Sequence, residues 1–71
     1  MKEEFMVNRS YTYPKLHNMA GDDWETREYG PNMIGENVLV LVNERQNMSM
    51  VFVLSSATKS EYYYTCLYIG N

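Results

Sequence analysis

From Asn37 onward the chain alternates between apolar blocks and polar breaks. Val38–Val42, Met48–Leu54 and Tyr62–Ile69 are the blocks; Asn43–Asn47 and Ser55–Glu61 separate them. The blocks are rich in β-branched and aromatic residues and the breaks in turn formers, which predicts three successive antiparallel strands. Val38–Val42 is apolar at every position, so it is expected to be covered on both faces and to run centrally in the sheet. Strand alternation puts Met48, Met50, Phe52 and Leu54 on one face of the second block, and Ser49, Val51 and Val53 on the other. In the third block it groups Tyr62, Tyr64, Cys66 and Tyr68 opposite Tyr63, Thr65, Leu67 and Ile69.

The first half of the chain is less regular. Phe5, Val7, Tyr11 and Tyr13 are all odd positions, the period of a strand with one buried face. A helix over Lys2–Asn8, with Glu3 and Glu4 at its positive end, competes with that reading. Pro14 stops the strand or confines it to an edge. Lys15–Gly21 has no clear period and reads as a loop. Asp22 is placed as an N-cap with Glu25 three residues on, and Gly30-Pro31 as a stop. This predicts a helix of about two turns over Asp22–Tyr29, held to the sheet by Trp24 or Tyr29, with a strand-like or turn conformation as the alternative. Pro31–Asn37 follows as a loop anchored by Ile34.

The expected fold class is therefore α+β, mostly β. It is an antiparallel three- to four-stranded meander with one short helix, in a single domain over residues 1–71. Both faces of the three strands carry large side chains, more than one short helix covers. That surplus predicts a homodimer with Tyr62, Tyr64 and Tyr68 at its interface.

Charge sharpens this picture. The net charge is −3, but Asp22, Asp23, Glu25, Glu28 and Glu36 lie close together with Arg27 as the one base among them, leaving −4 in that stretch. No basic cluster exists to neutralise phosphates, so direct binding to nucleic acid or to an anionic membrane is disfavoured. A chain of 71 residues buries only about 60% of its unfolded surface, and its single cysteine forms no internal disulfide. The charged start is unlike a signal peptide, and the longest apolar runs are five residues, too short to span a bilayer. A soluble, intracellular protein is the expectation.

Candidate chemistry is sparse. His17 sits in a polar stretch and Cys66 falls mid-strand, where a buried thiol is the ordinary state. One His and one Cys do not make a zinc site, the carboxylates lack calcium-loop spacing, and the four glycines are scattered. No enzyme activity, cofactor or metal is expected.

An acidic chain of this length, with the stretch Asp22-Asp23-Trp24-Glu25-Thr26-Arg27-Glu28 and an aromatic sheet, resembles the small host-takeover proteins made early by lytic phages. It is similar in length and charge layout to Bacillus-phage inhibitors of the nucleoid protein HU. That resemblance implies a non-enzymatic inhibitor which blocks a host DNA-binding protein by mimicking DNA, with Asp22, Asp23, Glu25, Glu28 and Glu36 as the partner-binding residues. The alternative is a small structural, assembly or anti-CRISPR-like protein that binds through its aromatic sheet.

Overall fold

The computed structural model describes residues 4–31 and 37–71, and the side chains of all of these except 28–31. Among these residues five strands and one α-helix follow in order: β1 (Ser10–Thr12), α1 (Tyr13–Ala20), a 3-10 turn (Gly21–Asp23), β2 (Glu25–Pro31), β3 (Asn37–Asn43), β4 (Met48–Ala57) and β5 (Tyr62–Gly70). The strands form one antiparallel sheet in the order β1-β5-β4-β3-β2. The mostly-β class and the meander through β3, β4 and β5 match the sequence pattern, and β1 and β2 extend it at either edge. No helix among the described residues is long and apolar enough to cross a membrane.

The core lies on one face of the sheet. Leu39 and Leu41 of β3, Met50 and Phe52 of β4, Cys66 of β5 and Tyr11 of β1 point into it, and Leu16 and Ala20 of α1 close it from above. Phe52 is the hub: Phe5 packs edge-to-face on it at 5.4 Å and on Tyr11 at 5.1 Å. The Tyr11 hydroxyl accepts the Met6 amide proton at 2.8 Å, which ties the N-terminal segment down. Asn8, in the left-handed region at φ 72°, donates its N–H to the Cys66 carbonyl, while Cys66 donates to Arg9. An asparagine tolerates that conformation better than most residues.

Four expectations are corrected here. First, the helix is Tyr13–Ala20, not Asp22–Tyr29. Tyr13, Leu16 and Ala20 recur at helical spacing on the buried side, and Pro14 in the first turn lacks only an N–H that would have had no helical partner. The residues read as a loop are thus the helix, and the described residues 4–8 form neither the proposed helix nor a strand. Second, Glu25–Pro31 is an edge strand on β3, which pairs six of its residues, with the register shifting between Tyr29 and Pro31, and a two-turn helix cannot equal that pairing. Third, β4 is the central strand; β3 is interior, with one face fully buried and the other only partly. Leu39 and Leu41 are buried, whereas Val38, Val40 and Val42 on the opposite face are half-exposed. Fourth, β4 extends to Ala57, taking in Ser55 and Ser56 from the predicted connection. The Ile34 anchor lies outside the described residues.

The tyrosine face is also broken. Met50 pairs with Ile69, Val51 with Tyr68 and Phe52 with Cys66, so Leu67 is an extra residue opposite the β4 step. A bulge of this kind reverses the alternation beyond it. Ile69 rather than Tyr68 therefore joins Tyr64 and Cys66 on the core side, and Tyr68 shares the outer face with Val51.

Candidate functional site

The acidic residues expected on a short helix are distributed instead over the turn and β2. Gly21 makes the change of direction: its φ of 66° and ψ of −157° are open to glycine and strained for any residue with a Cβ. Its N–H caps α1 on the His17 carbonyl, and the chain then turns through Asp22 and Asp23, both exposed. Trp24 follows in extended conformation and packs half-buried against the core. Glu25 opens β2 and is partly neutralised, since Arg27 lies 3.3 Å from it and 3.8 Å from Glu44 across the β3 end. Exposed pairs of this kind are worth little in stability, but they lower the local potential. Glu28 lies opposite Leu39 in the β2–β3 register, its side chain outside the description, and Glu36 is outside the described residues.

The structure brings Glu4 to the acidic turn, a residue the sequence reading did not include. Between the end of α1, Trp24 and the β3–β4 end of the sheet lies an open cleft of about 480 Å³. Phe5, Met19, Trp24, Met48, Met50 and Ile69 supply its apolar surface. Glu4 and Asp23, both exposed, line it too, and among the described residues no lysine, arginine or histidine does. Polar depth comes from Asn43, 3% exposed, whose Oδ1 accepts the Gln46 N–H at 3.1 Å and fixes the β3–β4 hairpin. Asp23 also faces a second hollow on the other side of the turn, with Asp22 and Lys15. No sequence period links Glu4, Asp23 and Met48; only the antiparallel closure of the sheet brings them together.

The predicted interface tyrosines have three different surroundings. Tyr62 is 56% exposed at the start of β5. Tyr64 is half-buried against the core and lies 5.8 Å from the Tyr13 ring. Tyr68 is exposed on the outer face, where its ring lies over Gly70 and its hydroxyl donates to the Asn71 carbonyl at 3.3 Å. Tyr63 donates to Glu61 at 2.8 Å, and that acceptor and its charge hold the phenol's pKa above the ordinary value.

His17 meets the Tyr13 ring edge-to-face at 4.4 Å, and Cys66 is fully buried. Among the described residues no three His, Cys, Asp or Glu side chains are placed to share a metal ion. No family model, curated protein or solved structure matches this chain. What it does is therefore read from its own surface.

Proposed function

We propose that this protein is a non-enzymatic inhibitor that occupies the DNA-binding surface of a basic host protein, a nucleoid protein such as HU being the kind of target. The observation that supports it most is the gathering of Glu4, Asp22 and Asp23, all exposed, at one end of the molecule beside a partly apolar cleft that no base among the described residues lines. Carboxylates clustered in this way steer a cationic partner toward that end, and apolar surface beside them holds it once docked. Glu25 contributes less, because it shares Arg27 with Glu44. The mimicry is thus a compact acidic end and not a helical row of charges.

The test is capture from nuclease-treated bacterial lysate. Wild type is compared with Asp22→Lys/Asp23→Lys, both substitutions falling in an exposed turn. Wild type is expected to retain a basic DNA-binding protein that added duplex DNA displaces and that leaves steeply with rising salt. The charge-reversed variant is expected to lose it. Equal capture by both would remove the acidic end from the contact.

The alternative, assembly through the sheet, gains support from a separate observation. On the outer face, opposite the one α1 covers, Val38, Val40, Val42 and Val51 are half-buried beside the buried Val53 and the exposed Tyr68. A homodimer would use this valine face, with Tyr68, in place of the Tyr62–Tyr64–Tyr68 row.

A further inference from the structure

The cleft beside the acidic turn has a more specific chemistry than its charge alone. Its apolar surface combines two aromatic rings, Phe5 and Trp24, with three methionines, Met19, Met48 and Met50. Unbranched, polarisable methionines conform to long aliphatic chains, and aromatic faces attract cations. Glu4 and Asp23 then stand where such a chain would carry its charged end. A purely apolar ligand would leave both carboxylates unused. An anionic ligand would face them with no compensating base among the described lining residues.

We propose that this cleft is the seat for one arginine side chain of the protein partner. The stem lies along Met48 and Met50, the guanidinium lies against Trp24 or Phe5, and its N–H groups donate to Glu4 and Asp23. Arginine fits better than lysine because its plane stacks on rings while its fork meets two carboxylates. The cleft's volume also admits the backbone on either side of that residue. This rests on the protein-binding reading above and names the residue type that reading leaves open.

Trp24 is the chain's sole tryptophan, so the cleft carries its own reporter. The full chain is titrated with N-acetyl-arginine amide and, separately, with N-acetyl-citrulline amide, which has nearly the same shape without the charge. Trp24 fluorescence and backbone amide shifts are followed together. The arginine probe is expected to saturate in the millimolar range with shifts confined to the cleft. Citrulline should bind at least about tenfold more weakly, as expected when charge-assisted contacts are lost. Glu4→Gln/Asp23→Asn, isosteric changes at two exposed positions, should abolish that discrimination without altering the spectrum elsewhere.

Equal binding of the two probes, shifts outside the cleft, or no saturation by arginine would each overturn the proposal. Failure here is distinct from failure of the inhibitor reading. If wild type and Glu4→Gln/Asp23→Asn capture the same DNA-binding protein equally well, the cleft proposal falls and the capture remains. If arginine discrimination holds but no basic protein is captured, the cleft chemistry stands and the inhibitor reading falls.

Discussion

Cys66 shows how burial sets the behaviour of one residue. Its side chain is fully enclosed, and desolvation pushes the thiol's pKa up, only partly opposed by backbone hydrogen bonding at Tyr68. In the unfolded chain the thiol ionises from about pH 8.5 upward, whereas in the folded chain it still holds its proton there. Below that range both states are protonated and this group leaves stability unchanged. Above it the unfolded state sheds protons first, so stability falls as pH rises toward the folded value. Urea midpoints are expected to be level from neutral pH to the thiol range and to decline above it. Cys66→Ala should flatten part of the decline, at a general cost for the lost packing. Alkylation of native Cys66 should be slow and should accelerate on unfolding; rapid labelling of the folded protein at neutral pH would contradict the burial.

At the scale of the element, α1 and β2 compete for the same stretch of chain logic, and tertiary pairing decides. Local signals at Asp22, Glu25, Gly30 and Pro31 favour a helix, but β3 has an open edge and Glu25–Pro31 fills it. The alternation there is readable in hindsight: Trp24 and Thr26 are half-buried, while Glu25 and Arg27 face solvent. Helix α1 has weaker local signals and better packing, because Leu16 is completely buried against β1 and β5. Leu16→Ala is expected to cost about 2–5 kcal/mol in chemical denaturation. That is much of the stability of a domain this small, since ordinary domains have about 5–15 kcal/mol. Met19→Ala, at a half-buried position facing the cleft, should cost clearly less. Equal costs for the two would mean that α1 is not docked through Leu16.

For the molecule as a whole the unequal treatment of the two sheet faces matters most. The principal extents are 32 × 28 × 19 Å, and the short dimension corresponds to one sheet with one covering layer. Helix α1, Phe5 and Trp24 cover the core face, while Val38, Val40, Val42 and Val51 on the opposite face are half-exposed around the buried Val53. The proposed homodimer through that face makes a direct prediction. Sedimentation at increasing concentration should give twice the chain mass, and Val40→Lys/Val51→Lys should return the monomer while keeping the fold. A wild-type monomer at every concentration tested would leave the acidic end as the surface to pursue.

The sequence by itself determined the three long strands, the two hairpin breaks and the mostly-β class. Those rest on side-chain alternation and turn chemistry, which act within a few residues of one another. It also determined how acidity concentrates along the chain. Only the tertiary structure decided that Glu25–Pro31 is a strand and Tyr13–Ala20 the helix, because edge pairing and core burial outweigh the capping signals of a two-turn segment. Only the structure placed the bulge at Leu67 that turns Tyr68 away from Tyr64, a matter of inter-strand register. The meeting of Glu4, Asp23, Trp24 and Met48 around one cleft belongs to the same class. Contacts between residues this far apart in sequence have no local period to announce them; they exist because the sheet closes.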